Sequence, residues 1–141
     1  MKTLQMIFTA GLLAGASLTT ASAQSNPQVR VKVSVPFDFK AGGVTFAASD
    51  YTLTERADGV LWINGRAPSN SAFVMAHKGE NGRTVDQTKV LFHQYGAQYF
   101  LEGVARAGDS YTDTVITSKD ERQIRRASGT PNVLMLVGKT R

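Results

Sequence analysis

The sequence predicts an all-β fold, a small antiparallel barrel or sandwich of about eight strands with one short helix near the C-terminus. Three observations carry this reading. Short runs alternate apolar and polar residues, turns rich in Gly, Asn and Asp separate them, and nothing before residue 117 has a helical period.

The first segment, "MKTLQMIFTAGLLAGASLTTASAQ", stands apart from that pattern. It has one cation, Lys2, then an uncharged stretch too short and too rich in Ala, Gly and Thr for a comfortable membrane span. It closes on Ala21-Ser22-Ala23, a small-x-small cleavage site. This predicts a signal peptide over residues 1–23, cut between Ala23 and Gln24, and a single β domain over 24–141. The expected product is exported, periplasmic or extracellular, with no transmembrane segment in the mature chain. The chain has no cysteine, so disulfides, thiolate chemistry and a lipid-anchored cysteine are all excluded. Loss of Lys2 lowers the formal charge from +5 to +4, a mild basic bias short of a nucleic-acid signature.

The domain opens on "VRVKVSVPFDF". Val29, Val31, Val33, Val35, Phe37 and Phe39 share one parity and are expected in the core, while Arg30, Lys32, Ser34 and Asp38 face water. Pro36 donates no amide hydrogen, so the strand is at an edge or bulged there. Gly42-Gly43 turns into Val44 to Phe46, and Tyr51 and Leu53 alternate in "DYTLTE". Asp58-Gly59 is a hairpin turn into "VLWIN". A polar bend at Pro68 precedes "SAFVMA", and Asn81-Gly82 is another tight turn. "KVLFHQYGAQYFLEGVA" reads as two strands around Gly96-Ala97; bulky groups of both parities make it a central hairpin or one covered by the helix. "NVLMLVG" closes the sheet.

In this order, "VSVPFDFKAGG", "YTLTE", "GVLWI", "KVLFHQYGAQYFL" and "SKDER" resemble a family of small exported β-rich bacterial proteins of unknown function. Its pattern runs V-P-F-x-F, L-P-A-G-x-Y, K-L-x-F-x-x-Y-G-x-x-Y-F-L and S-x-x-E-R. This chain departs where Ala47-Ala48-Ser49-Asp50 stands for the Pro-Ala-Gly turn, and its C-terminal strand is additional. The resemblance implies export and a β fold, and no activity.

The run "TSKDERQIRRA" carries the densest charge, and helix building accounts for most of it. Ser118 and Glu121 form a capping-box pattern, in which the Glu121 carboxylate is expected to reach back to the Ser118 amide. Asp120 and Glu121 lie at the positive end of the helix, Arg125 and Arg126 at the negative end, and Gly129 and Pro131 stop it. The functional alternative is an anion site formed by Arg122, Arg125 and Arg126.

The remaining chemistry is sparse. Gly108-Asp109-Ser110 reads as a turn, since no histidine follows that could activate the serine. His77 and His93 lack a third ligand or an evident carboxylate partner, so no metal site is expected. Asp109 with Asp113, or Asp50 with Glu55, has no spacing that defines a glycosidase pair. No catalytic residue and no cofactor are therefore expected. Tyr51, Trp62, Tyr95 and Tyr99 are candidate ligand-binding aromatics, with core filling as the competing role.

The expected function is a non-enzymatic binding or structural module of the cell envelope or periplasm. Its expected partner is an anionic envelope component, met through Arg30, Lys32, Arg122, Arg125 and Arg126 on one shared face; nucleic acid is not expected. A lipocalin-like carrier of a small apolar or aromatic ligand is the alternative, and a hydrolase the third. Three or more titratable groups meeting in one cleft would favour the hydrolase.

Overall fold

The computed structural model describes residues 28–56 and 59–140. The predicted leader, 1–23, and Asp58 of the first hairpin turn lie outside the described residues. Strand β1 (Arg30–Val35) has the predicted alternation: Val31, Val33 and Val35 are buried while Arg30, Lys32 and Ser34 are exposed. It stops before Pro36, which cannot donate to a ladder. Val29 is exposed, Phe37 is half-buried and Phe39 opens a new strand, so the predicted six-residue core row splits in two.

Ten further strands follow: β2 (Phe39–Ala41), β3 (Val44–Phe46), β4 (Ser49–Arg56), β5 (Val60–Gly65), β6 (Ser71–Glu80), β7 (Lys89–Tyr95), β8 (Gln98–Ala105), β9 (Tyr111–Val115), β10 (Asn132–Val137) and β11 (Lys139–Thr140). A 3-10 turn (Pro68–Asn70) occupies the predicted bend, and one helix, α1 (Lys119–Ser128), follows β9. Gly42, Gly59, Gly82, Gly96 and Gly108 all have positive φ at the predicted turns, a region that costs glycine little.

The strands form one hydrogen-bonded network in the order β10-β7-β8-β9-β6-β5-β4-β1-β11, with the β2–β3 hairpin joined through a parallel contact between Lys40 and Phe100. Strand β6 belongs to both halves. Its residues Ser71 to Met75 pair with β5, and Ala76 to Glu80 pair with β9. The expectation of an all-β fold with one helix holds, while of the two expected architectures, barrel or sandwich, the closed barrel is excluded and the count of about eight strands is too low. Among the described residues there are eleven strands, and the end strands β10 and β11 do not pair with each other.

Those two ends are nevertheless consecutive in the chain, separated by Gly138. Strand β10 pairs with β7 and β11 with β1, so the C-terminal run spans from one end of the network to the other. The Gly138 amide donates to the Thr88 carbonyl, 2.9 Å away. A side chain there would meet Val31 Cγ1 at 2.7 Å, which explains why glycine stands at the crossing.

Large apolar side chains occupy the core. Phe46, Ile63, Val90 and Phe92 are completely enclosed, and Phe39 stacks on Phe46 with ring centroids 5.0 Å apart. Each such side chain contributes about 1.5–3 kcal/mol through burial. Among the described residues, no helix is long and apolar enough to cross a membrane.

Candidate functional site

Three places in the fold gather polar side chains. The first joins α1 to the sheet. Val90 and Phe92 of β7 point into the core, leaving His93 and Tyr95 on the opposite face, where the helix lies. The Ser118 hydroxyl caps the helix by accepting from the Glu121 amide at 3.2 Å, as the motif predicts. The other half of the capping box is not made. The Glu121 side chain turns inward, and the residue is only 4% exposed. Its Oε1 accepts from His93 Nδ1 at 2.6 Å, Tyr95 Oη at 3.1 Å and Arg125 Nη2 at 3.2 Å.

A bulge supplies the second partner of His93. Leu91 pairs with Gly103 and Phe92 with Leu101, which leaves Glu102 as the extra residue on β8. Its Oε2 lies 3.3 Å from His93 Nε2. Glu102 and then Glu121 raise the imidazole to about 9 against the opposing effect of burial, so it is protonated at neutral pH. Burial pushes Glu121 up, but His93, Tyr95 and Arg125 outweigh it and hold the carboxyl below its ordinary value. His93 therefore has two carboxylate partners, separated from it by 9 and 28 residues along the chain, contrary to the expectation of none.

The second place is a polar end of the interior. Glu55, Lys78 and Asp113 share the parity of the core residues Leu53, Val74 and Val115 on their strands, and the buried Arg106 reaches in beside them. Arg106 binds Glu55 at 2.7 Å and Asp109 at 2.9 Å, and lies 3.3 Å from Asp113. The Lys78 ammonium lies 2.7 Å from Glu55, 3.7 Å from Asp113 and 3.9 Å from the Tyr111 ring centroid. Burial raises the Asp113 carboxyl. Burial also pushes Glu55 up, but hydrogen bonds from Lys78 and Arg106 bring it below its ordinary value. Glu55, Lys78 and Asp113 line a recess of about 290 Å³ with apolar walls at Val60 and Leu61.

The third place is an open groove of about 570 Å³ across the outer face of β11, β1, β4 and β5. Lys32 stands directly opposite Lys139 on one side and Thr52 on the other, and Thr52 stands opposite Asn64. Neither lysine pairs with a carboxylate among the described residues. Asp50 accepts from Ser34 at 2.6 Å and from Arg66 at 2.8 Å. Ser71 donates to Asn64 Oδ1 at 2.7 Å, and Asn64 lines the groove.

The residues singled out in the sequence fall in different places. Tyr51 is a core residue packed on Phe39 and Phe46, its hydroxyl donating to the Ala47 carbonyl. Trp62 lies on the outer face of β5, stacked on Phe73 with centroids 5.8 Å apart and the Arg56 guanidinium 4.9 Å from its ring. Tyr95 is buried beneath α1, and Tyr99 stacks on Phe37 at 3.9 Å. Of the helix arginines, Arg125 donates to Tyr95 and Glu121, Arg122 donates to the Thr117 carbonyl at 2.8 Å, and Arg126 is exposed. His77 and His93 lie on strands separated by β9 and β8. Asp109, Asp113 and Glu55 share Arg106, while Asp50 lies apart.

Lys139, Arg106, Lys78 and Glu102 were not anticipated. For Lys78 and Glu55 the available signal is parity, because each places a charge where its strand otherwise points inward. Among the described residues, no group of three or more His, Asp or Glu side chains is placed to hold a metal ion. No protein-family model matches the chain, and comparisons with curated proteins and with solved structures give no match.

Proposed function

We propose that the chain is an exported, non-enzymatic binding module of the cell envelope or periplasm that engages an anionic envelope component through its outer sheet face. One observation carries this reading. Lys32 and Lys139 stand side by side across β1 and β11, with Arg30 on the same face, and no carboxylate pairs with any of the three among the described residues. Like charges placed directly opposite weaken a sheet, and an anionic partner relieves that cost. The signal-peptide pattern and the family resemblance support the compartment. The large aromatic and aliphatic side chains that occupy the core support a surface-binding module over a carrier with an internal ligand.

The test is binding of the mature protein to isolated anionic envelope material. Retention is expected at low salt and is expected to weaken as ionic strength rises and screening shortens. Absent or salt-insensitive retention sinks the reading.

A hydrolase is the second reading, and the Glu55–Lys78–Asp113 recess favours it, because carboxyls pushed in opposite directions beside a cavity are the raw material of acid–base catalysis. Against it, Lys78 and Arg106 hold the Glu55 carboxylate, as in a structural ion network. Turnover of chromogenic esters or glycosides that disappears in Asp113→Asn would establish the hydrolase and displace the binding module.

A further inference from the structure

The groove that crosses β11, β1, β4 and β5 has a lining that narrows the class of its partner. This rests on the reading of the outer face as an anion-binding surface. Lys32 and Lys139 supply charge on one side, and Thr52 and the Asn64 amide supply neutral donors on its floor. The Asn64 carbonyl accepts from Ser71, so the group it keeps for a ligand is its amide NH2, a donor. Asp50 is the one carboxylate in the groove, fixed by Ser34 and Arg66. Val137, two residues before Lys139 and 67% exposed, also lines it.

Each feature selects against a rival occupant. A planar lipid surface does not follow a concave polar floor. A single-stranded nucleic acid needs exposed aromatic faces for its bases, and the only aromatic side chain in this lining, Tyr51, is buried in the core. A polymer carrying only anions would meet Asp50 unfavourably, whereas a sugar hydroxyl can donate to it. An apolar patch beside hydrogen-bonding groups suits the C–H face of a pyranose ring. We infer that the groove takes an acidic polysaccharide, a chain of carboxylate-bearing sugars whose carboxylates meet Lys32 and Lys139 and whose hydroxyls meet Asp50, Thr52 and Asn64.

Affinity electrophoresis and calorimetry of the mature protein with polygalacturonate test this, with neutral dextran, polyglutamate and phosphatidylglycerol vesicles in parallel arms. Polygalacturonate is expected to bind and dextran not to. Lys32→Glu and Lys139→Glu are each expected to weaken binding at least tenfold, and Asn64→Asp to weaken it in the same direction. Lys119→Glu, on the helix and outside the groove, is expected to leave it unchanged. Circular dichroism of each variant shows whether it is folded, and only folded variants are compared. Equal loss in Lys119→Glu overturns the groove assignment. Binding of vesicles or polyglutamate without polygalacturonate overturns the glycan assignment while the anion-binding reading stands. Failure of every anionic arm removes both.

Discussion

His93 Nδ1 lies 2.6 Å from Glu121 Oε1, and this contact ties the only helix among the described residues to the sheet. Folding raises His93 from about 6.5 to about 9. Its contribution is therefore complete below about pH 6.5 and is lost as pH climbs through 9. Glu121 has the opposite sign: folding lowers its carboxyl, so its contribution is present above its ordinary value of 4.5 and is lost as pH falls through the lowered one. Urea unfolding from pH 4 to pH 10 is expected to show maximal stability near pH 5–6.5. The alkaline decline is expected to be on the order of 2 kcal/mol. His93→Gln is expected to flatten that decline, and an unchanged alkaline limb would refute the assignment.

Removing the carboxylate tests the same contact from the helix side. Glu121→Ala leaves three donors without their acceptor and is expected to cost about 2–3 kcal/mol. Hydrogen exchange is the informative measurement. Amides of α1 should lose protection while those of β4 and β5 keep theirs, because the helix touches the sheet mainly through this node. Uniform loss across the sheet would mean that α1 is integral to the core.

The polar end of the interior predicts an asymmetry between two substitutions. Arg106→Met strips the shared cation from Glu55, Asp109 and Asp113 and is expected to destabilise by about 3–5 kcal/mol. Asp113→Asn should cost less than about 1 kcal/mol at pH 7. Burial has already raised that carboxyl, so its ionised form is the strained one. Denaturant midpoints at pH 7 distinguish the two.

The lysine pair predicts a conflict between binding and stability. Lys32→Thr removes a like-charge neighbour of Lys139 and is expected to stabilise the fold by about 0.2–1 kcal/mol at low salt. The gain should shrink in 1 M salt, where the screening length is about 3 Å. The same variant should bind polygalacturonate more weakly. Stabilisation without a change in binding would separate the pair from function.

Gly138→Ala places a methyl group against Val31 at the crossing between β10 and β11. A loss of about 1–3 kcal/mol is expected from the forced shift, read as a lower melting temperature.

Local patterns were legible in the sequence, and pairings between distant residues were not. The parity of Val31, Val33 and Val35, the glycine turns and the Ser118 cap each depend on a few neighbouring residues, and all are present. The Glu121 carboxylate is different, since S-x-x-E looks the same whether the side chain closes the box or turns away. His93, 28 positions earlier, decides which. Arg106 and Glu55 lie 51 residues apart and meet only because β4 and β8 end on the same side of the core. The strand count falls short at three places: Pro36, which breaks an apolar run that otherwise reads as continuous, the polar β9 (Tyr111–Val115), and the two-residue β11 beyond Gly138.

The crossing at Gly138 also bears on when the molecule can be completed. Thr140 pairs with Val31, so one edge of β1 stays open until a segment about a hundred residues later in the chain is in place. Until then β1 carries an open edge of alternating valines guarded by Arg30 and Lys32, side chains that discourage association with other chains. The lysine that weakens the finished sheet thus shields its unfinished edge.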